Sequence, residues 1–288
     1  MRSVTDNLPG LHWHPDGYAA LGGPLLQLAT ALDAVFVSWA ADLGAQEERF
    51  PSFIALEDLK PLEYLRSFPQ LATFALSLKQ EDEVLSAFAQ RHGAAEEITV
   101  EADWSAARQV LTPAACYHFY HRLADRRLER AVYLTTCCTC HRREEHYEPL
   151  ARQWCFQMRE LVCIGDDDAV ESFIGYCRER IEHLVDQLGL ETRWEIATDP
   201  FFDPRHDTKA LAQLLEPVKS ELIFGDDLAI GSTNRHRSFF GECYGIRHGE
   251  SPAVSACVAF GLERWLLAIV STHGGNPDSW PAIAELVA

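Results

Sequence analysis

The sequence has few lysines, no long apolar run and none of the common glycine-rich nucleotide loops. Lysine occurs four times in 288 residues, so arginine supplies most of the 25 basic side chains, against 43 acidic ones. The net charge of −18 disfavours nucleic-acid binding in bulk, because that affinity comes mainly from clustered Lys and Arg. The absence of GxGxxG and GxxxxGKS/T excludes the usual phosphate loops and leaves arginine as the residue for a local anion site.

No secretory signal or membrane span is predicted from the sequence. The basic residue near the N-terminus is not followed by an apolar run, and no stretch approaches ~20 uninterrupted apolar residues. The nine cysteines are an odd number in a chain long enough to build its own core. We therefore expect a cytoplasmic protein that contacts no membrane and keeps its thiols free, with some of them available as metal ligands.

The hydrophobic pattern predicts a single domain, residues 1–288, of the α+β class. Apolar residues at helical spacing predict a helix from Gly23 to about Ala45, and another follows the N-cap residues 166–168. The predicted strands cover residues 48–55, 131–140, 153–164, 192–197, 221–230 and 239–246, and a last helix runs from Ser255 to about Ser271. Pro51 lies inside the first of these strands, which suggests an edge or interface position. Strands that follow one another through short turns favour an antiparallel sheet flanked by helices.

Charged residues are spaced along two predicted strands in a way that suits a nucleotide. Arg142 and Glu144 lie two apart on one strand face, and after a polar loop come Arg152, Phe156 and Glu160 at four-residue spacings. Arginine can bind a phosphate with two hydrogen bonds, and a carboxylate can accept from an exocyclic amine such as that of adenine. These residues therefore predict a nucleotide site on two strands, with a solvated hairpin as the open alternative.

A second arginine pattern completes a resemblance to a known family. Gly261 precedes Arg264 at the start of an apolar helix, which suits a bound phosphate. RxE, a loop, RxxxFxxxE and this GLER resemble motifs 2 and 3 of class II aminoacyl-tRNA synthetases, and ERFPSFI resembles motif 1, whose proline lies at the dimer interface of that family. REEHYEPLARQW, FQMRE and LAIGSTNRHRSFFGE most resemble the amino acid:[carrier protein] ligases, truncated seryl-type homologues. Two departures are His141, where the family usually has Phe, and Ala259, which replaces a motif 3 glycine.

The resemblance implies an ATP site that includes Mg²⁺. It assigns Arg142 to the α-phosphate, Glu144 to the adenine amine and Phe156 to stacking on the adenine ring. The remaining two arginines, Arg152 and Arg264, are assigned to the triphosphate. A further acidic pair at positions 226 and 227 is a candidate for Mg²⁺ contacts, with a solvated turn as the alternative, and position 234 is expected to line the amino-acid pocket.

The resemblance also implies a zinc ion held by Cys116, Glu160 and Cys257. Three protein ligands with a fourth position open is the pattern of a working zinc site, in contrast to a closed structural one. Spacing alone does not select these ligands, because they are far apart in the chain. On spacing the CCTCH cluster at residues 137–141 is more obvious, but consecutive strand residues point to opposite faces. That cluster therefore cannot close one tetrahedral site, and we expect buried strand cysteines.

The implied reaction has two steps. The carboxylate of a small amino acid, glycine or alanine, attacks the α-phosphate of ATP, and the phosphopantetheine thiol of a carrier protein then takes the aminoacyl group. No tRNA-reading arm is expected in these residues, and the net charge argues against tRNA as the acceptor. The alternatives are a stand-alone seryl-type tRNA synthetase and a catalytically silent paralogue that senses an amino acid or adenylate.

Two surfaces are implied for partners. The resemblance to class II synthetases implies a homodimer. Residues 199–220 resemble the helical insertion with which the ligases dock their carrier protein, although a surface helix packing through its leucines is an open alternative. Because carrier proteins are acidic, we expect a local basic patch around Arg205, Lys209 and Lys219 that overcomes repulsion from this acidic chain.

Overall fold

The computed structural model of the protein describes residues 4–92 and 103–287. Strands and helices follow one another along most of these residues. The strands are β1 Leu11–His14, β2 Tyr18–Leu21, β3 Gln46–Glu47, β4 Phe53–Ala55, β5 Phe74–Ala75, β6 Gln109–Leu111, β7 Arg127–Leu128, β8 Val132–His141, β9 Cys155–Gly165, β10 Thr192–Ala197, β11 Lys219–Phe224, β12 Leu228–Arg237, β13 Arg247–His248, β14 Ser251–Pro252 and β15 Val254–Gly261. The α-helices are α1 Gly23–Asp42, α2 Leu56–Leu59, α3 Tyr64–Ser67, α4 Asp82–His92, α5 Tyr117–Arg122, α6 Asp167–Gln187, α7 Thr208–Leu215, α8 Phe239–Tyr244 and α9 Leu262–His273. Short 3₁₀ helices cover Lys60–Leu62, Pro69–Leu71, Pro277–Ser279 and Ile283–Val287.

The main sheet has the order β10-β11-β12-β15-β9-β8-β3. Every neighbouring pair in it is antiparallel except β3 and β8, which run parallel. Smaller sheets form from β4-β6-β5, from β14-β13-β7 and from β1-β2. The predicted α+β class, an antiparallel sheet flanked by helices, is confirmed.

Alternating residues of β9 separate the two faces of the main sheet. Leu161 and Cys163 belong to the larger core, which α1, α6 and α9 share, whereas Val162 and Ile164 pack in a second cluster on the opposite face. Since strand side chains alternate, Glu160 faces the same side as Val162. The helix-covered face therefore supplies stability, and the opposite face is where polar groups gather.

The first long helix, α1, is apolar enough to span a membrane by length and composition alone. Its side chains at Leu25, Leu32 and Phe36 are fully buried in the larger core, and Phe36 stacks on Phe260 with the ring centroids 3.9 Å apart. Packing against the sheet therefore accounts for the apolar face of this helix. The other long helix, α6, begins as predicted, because the side chain of Asp166 accepts from the amide of Ala169 at 2.9 Å.

Two predicted elements have the wrong type. Residues 239–246 were expected to form a strand but contain the helix α8, in which Phe240 stacks on Tyr120 at 3.7 Å between centroids. This tertiary contact overrides the strand preference of aromatic residues. The predicted helix 255–271 is in fact β15 followed by α9. Because β15 is buried on both faces, its sequence is one apolar run that periodicity cannot distinguish from a helix.

Two predicted strands have the wrong extent. Residues 221–230 were expected to form one strand, but the chain turns at Gly225, which has φ 60°, and a hairpin of β11 and β12 results. The strand predicted over 48–55 is reduced to β4, so Pro51 lies outside it. A proline cannot donate to a ladder, which is consistent with pairing that begins only at Phe53.

Candidate active site

A cavity of about 510 Å³ opens on the sheet face away from α1 and α6. Its walls come from β9, β11, β12 and β15, from α7 and α8, and from the first turn of α9. The sequence-predicted site residues that line it are Cys116, Arg142, Glu144, Phe156, Glu160, Asn234, Cys257 and Arg264. The fold therefore gathers into one cavity residues that are distant in the chain.

The loop between β8 and β9 supplies Arg142, Glu144 and Arg152, and Phe156 follows near the start of β9. Arg142 donates from Nε to the carbonyl of Pro113 at 2.9 Å, and its guanidinium lies 5.6 Å from the ring centroid of Phe156. Arg152 lies at the edge and donates to a carboxylate oxygen of Glu144 at 2.8 Å. The Phe156 ring and the Arg142 guanidinium thus present a flat apolar surface next to a fixed positive charge.

Arg264 is held rigidly at the first turn of α9. Its Nε donates to the carbonyl of Ala151 at 2.8 Å and its Nη1 to the carbonyl of Ala229 at 2.9 Å. Burial and the charges of Arg142 and Arg152 lower the pKa of Arg264. Arg264 is therefore repelled by Arg142 and Arg152, and a multiply charged anion would relieve this repulsion. The position at a helix N-terminus adds a partial positive charge.

Two thiols and one carboxylate converge in the floor of the cavity. The ligand atoms of Cys116, Glu160 and Cys257 all lie within 4.8 Å of one another, and each residue is at most 4% exposed. One oxygen of Glu160 accepts from the amides of Ala115 and Cys116, at 2.8 and 3.2 Å. These two bonds fix the carboxylate. Among residues 4–92 and 103–287, this is the single cluster of three or more such side chains close enough to share a metal ion.

The ionisation of this cluster fits a metal site. A hydrogen bond with Cys257, burial and the charge of Glu160 raise the pKa of Cys116 well above its ordinary value. In Cys257 the hydrogen bond from Cys116 favours the thiolate, but burial and Glu160 outweigh it, so the pKa is raised as well. Without a cation the two thiols therefore stay protonated beside Glu160, and a bound cation would favour their thiolate forms. Two sulfurs and one oxygen are a donor set that suits Zn²⁺ with one position open.

Three other cysteines, Cys137, Cys138 and Cys140, lie close together on β8. Cys138 and Cys140 are buried with Met158 in a small apolar group, while Cys137 packs against the larger core on the other face. A hydrogen bond from Cys140, together with His118, lowers the pKa of Cys138 to about 6. These side chains lie on two faces of the sheet, as expected. As a set they therefore do not converge on one metal ion.

The structure favours one of two open alternatives about charged residues and contradicts one expectation. Asp226 and Asp227 lie exposed in the turn between β11 and β12, outside the cavity lining, so the solvated-turn alternative holds. The expected basic patch is also absent among the described residues: Lys219 is only 13% exposed and pairs with Asp199 at 3.1 Å and with Glu221 at 3.0 Å. The ion pairs of a lysine cannot be recognised in the sequence when the fold places its acidic partners beside it.

The other two residues of the expected patch do not restore it. Lys209 donates to the carbonyl of Leu62 at 2.8 Å and pairs with Glu63 at 3.3 Å. Arg205 is exposed, but one arginine does not make a basic patch. The exposed side of α7 is instead apolar. Its three leucines have large exposed fractions: Leu211 44%, Leu214 63% and Leu215 84%. Within the segment 199–220, the exposed side of α7 therefore presents a hydrophobic surface.

Sequence reasoning missed two residues of the cavity. Glu263 is 7% exposed, both of its oxygens lie 3.0 Å from the amide of Gln157, and burial raises its pKa to about 7. His236 contacts Cys257, with Nε2 3.6 Å from Sγ. The alternation of polar residues Ser232, Asn234 and His236 along β12 was the available signal, since such residues share one strand face.

The comparisons with solved structures identify the fold. The seryl-tRNA synthetase of M. kandleri, solved with A. aeolicus tRNASec, matches 99% of this chain and 60% of its own with a TM-score of 0.85 at 21% identity. The Giardia lamblia prolyl-tRNA synthetase, solved with prolyl-adenylate, matches 98% of this chain and 53% of its own with a TM-score of 0.70 at 13% identity. The architecture is that of the class II aminoacyl-tRNA synthetases.

The comparisons with curated sequences identify the family. Amino acid–[acyl-carrier-protein] ligase 1 of Bradyrhizobium diazoefficiens is 34% identical over 258 residues, which cover 86% of this chain and 78% of that one. Ligase 2 of the same organism is 34% identical over 267 residues, and a type-2 serine–tRNA ligase of Methanococcus maripaludis is 26% identical over 283 residues, 54% of its length. No family model matches the chain. The chain belongs to the amino acid–[acyl-carrier-protein] ligase family.

Proposed function

We propose that the protein activates glycine or alanine with ATP and transfers the aminoacyl group to the phosphopantetheine thiol of a carrier protein. One observation carries this proposal: a single cavity lined by Arg142 and Arg264, with Arg152 paired to Glu144 in its wall, also contains a buried cluster of two thiols and a carboxylate. The first part suits a triphosphate, and the second suits the metal-assisted capture of an amino group. An enzyme that joins an amino acid to ATP needs both sites within reach of each other.

The residues of the anion site have separate roles toward Mg²⁺-ATP. Arg142 binds the α-phosphate, and the adenine stacks on Phe156, whose ring already lies beside the Arg142 guanidinium. Glu144 accepts from the adenine amine, which requires it to share or release its ion pair with Arg152. Arg152 and Arg264 bind the rest of the triphosphate. Their charges stabilise the negative charge that develops on the phosphate oxygens.

Cys116, Glu160 and Cys257 hold Zn²⁺ in this proposal. When bound, the ion supplies an open coordination position for the neutral α-amino group of the substrate. The chain itself contributes orientation: Glu160 is fixed by two backbone amides, and Asn234 donates to Sγ of Cys257 at 3.4 Å. Such fixed ligands keep the amino acid in one position relative to the α-phosphate, and orientation of this kind lowers the barrier.

The reaction balances without a protein nucleophile. A carboxylate oxygen of the amino acid attacks the α-phosphorus, the bond between that phosphorus and the oxygen bridging the α- and β-phosphates breaks, and pyrophosphate leaves. The thiol of the carrier arm then loses its proton to solvent, its sulfur attacks the carbonyl carbon of the adenylate, and AMP leaves. Arg142 stays on the α-phosphate through both steps, so it stabilises the charge on the α-phosphate oxygens in the first step and the leaving AMP in the second.

The carrier protein docks on the exposed leucines of α7 in this proposal. This face is apolar, so contact does not depend on the opposite charge that an acidic carrier would otherwise need. The helix is anchored to the cavity wall, since Gln213 donates to Asp199 at 2.9 Å and Asp199 accepts from Lys219 at 3.1 Å. A partner bound there stands close to the cavity that α7 helps to line.

The proposal also includes an oligomeric state and a cellular location. We propose a homodimer formed through the segment around Pro51, where Phe53 is 47% exposed although it belongs to a strand. A cytoplasmic, membrane-free enzyme is proposed because its buried thiols are unpaired and its longest apolar helix is packed in the core. The whole chain acts as one catalytic domain, with α7 as its docking element.

Exchange of labelled pyrophosphate into ATP tests the activation step. We expect exchange that requires a small amino acid, with glycine or alanine the best substrate in a screen of amino acids. A difference of one methyl group changes discrimination by only ~1–3 kcal/mol, so a measurable rate with the second-best substrate is also expected. Absence of exchange with every small amino acid refutes the enzyme and favours an amino-acid or adenylate sensor.

The acceptor needs a separate comparison, because the relatives include type-2 serine–tRNA ligases. We expect the activated amino acid to reach a phosphopantetheinylated carrier protein and not tRNA. The net charge of −18 supports this choice, since tRNA is itself a polyanion. Charging of tRNA at a rate above that of the carrier refutes the proposed acceptor while leaving the activation step intact.

A further inference from the structure

His236 on β12 lies between the candidate metal ligands and two hydroxyl groups. Its Nε2 lies 3.6 Å from Sγ of Cys257, and its Nδ1 lies 3.1 Å from the hydroxyl of Tyr120 and 3.2 Å from that of Ser255. These three partners are all buried, with exposed fractions of 3%, 0% and 1%. Both ring nitrogens of His236 therefore have polar partners, and the side that faces the cluster meets a sulfur.

The backbone around His236 is irregular in a way that aims the ring. On β12, Asn234 pairs with Cys257 and Arg235 with Ala256, but the register then shifts and Arg237 pairs with Ser255. His236 is consequently the extra residue of a bulge and has no partner of its own in the ladder. Bulges are common next to active sites because they redirect one side chain. Here the redirected side chain reaches back to the sulfur of a residue on the neighbouring strand.

The partners decide which nitrogen of the ring carries the hydrogen. A hydroxyl group can donate or accept, so Tyr120 or Ser255 can donate to a bare Nδ1. A cysteine that ligates a metal is a thiolate and can only accept. With a metal present, the one consistent arrangement of a neutral ring therefore has N–H at Nε2, directed at Sγ of Cys257.

We infer that His236 is a positioning residue for the metal site, whose Nε2–H donates to the thiolate of Cys257 and fixes the direction of its Sγ. This inference deepens the proposed function and rests on the proposed zinc site. Groups that hydrogen-bond to metal ligands orient them, and their loss typically costs 10- to 100-fold in metal affinity. The same ring also packs edge-on against Phe240 with 4.8 Å between centroids. Packing alone would not require a nitrogen at this position.

Zinc affinity distinguishes a donor from a packing residue. The affinity of the purified full chain is measured by competition with a chromophoric chelator, and the energy of the sulfur-to-metal charge-transfer band is recorded after Co²⁺ substitution. His236→Leu removes the donor. His236→Gln places an amide N–H near the position of Nε2, whereas His236→Asn places its amide near Nδ1. His273→Leu is the control, because His273 bonds to the carbonyl of Leu188 at the far end of α9.

We expect His236→Leu and His236→Asn to weaken zinc binding about 10- to 100-fold and to shift the Co²⁺ band, while His236→Gln and the control stay close to wild type. Equal zinc affinity for the Gln and Asn variants overturns the inference, and this comparison stands even if the Leu variant does not fold. Wild-type affinity in His236→Leu overturns it as well. If the wild type binds no zinc, or if Cys116→Ser binds it undiminished, the proposed metal site fails and the inference fails with it. Loss in His236→Leu and His236→Asn, with wild-type affinity in His236→Gln and in the control, supports the inference.

Discussion

Replacing Arg264 tests the anion site most sharply. The backbone carbonyls that fix its side chain are distinct from the triphosphate that it is proposed to bind. Two of its nitrogens are occupied by backbone carbonyls, at 2.8 Å from Ala151 and 2.9 Å from Ala229. The guanidinium borders the cavity, and its lowered pKa reflects burial and repulsion by Arg142 and Arg152. Arg264→Ala removes one of three charges that face the proposed triphosphate.

The expected loss follows from one charge-assisted contact to a phosphate. Such hydrogen bonds contribute roughly 1.5–3 kcal/mol, and each 1.4 kcal/mol is a factor of ten. We therefore expect kcat/KM for ATP to fall about 10- to 150-fold in Arg264→Ala. Arg264→Lys should not rescue it, because an ammonium group cannot bond to both carbonyls and present a third nitrogen to the cavity.

Pyrophosphate exchange at varied ATP concentration measures this loss. The KM for the amino acid should stay nearly unchanged, since Arg264 lies in the triphosphate part of the cavity. Arg180→Ala is the control, because Arg180 pairs with Asp42 on the helix-covered side of the sheet. Full rescue by lysine, or an equal loss in the control, would contradict the argument that a fixed guanidinium binds the triphosphate.

Three further predictions test the metal site, the docking face and a buried carboxyl group. Cys116→Ser should lose bound zinc, measured by elemental analysis, and exchange activity together; full zinc occupancy would refute the ligand set. Leu214→Asp with Leu215→Asp should raise the KM for the carrier protein roughly 10- to 100-fold with unchanged pyrophosphate exchange, whereas methionine at both positions should behave as wild type. The pKa of Glu263, raised by burial from 4.5 to about 7, favours the folded state below pH 4.5, and this contribution is lost as the pH rises through 7. The unfolding free energy of the wild type should therefore drop by ~3 kcal/mol more than that of Glu263→Gln over this range, measured by denaturant titration; parallel curves would contradict the assigned pKa.

The class of the fold could be predicted from the sequence because local signals agreed over most of it. The strand Thr192–Ala197 and the long helix after Asp166 have nearly the predicted bounds, since alternation and a side-chain cap are local features. Errors arose where burial hides periodicity, as in β15, and where a tertiary contact decides, as at Phe240. These outcomes depend on neighbours that are remote in the chain.

The composition of the candidate site could be predicted only in part. Glu160 and Cys257 become neighbours because β9 pairs with β15, and Cys116 joins them from the start of α5, where its amide donates to Glu160. No sequence spacing reveals these relations. Their selection came from a family resemblance and not from the pattern of cysteines. The basic patch failed because the Lys219 ammonium group is neutralised by Glu221 on the same strand and by Asp199, which follows the neighbouring strand β10. Long-range pairing decides which charges remain free.

The intact mass of a carrier protein tests the central claim most directly. A phosphopantetheinylated acyl carrier protein is incubated with the enzyme, Mg²⁺-ATP and either glycine or alanine, and its mass is measured by mass spectrometry. The account predicts the gain of one aminoacyl group that depends on ATP, is released by hydroxylamine as expected for a thioester, and does not appear on the carrier without its phosphopantetheine arm. An unchanged carrier mass in the presence of robust amino-acid-dependent pyrophosphate exchange would contradict transfer to a carrier thiol.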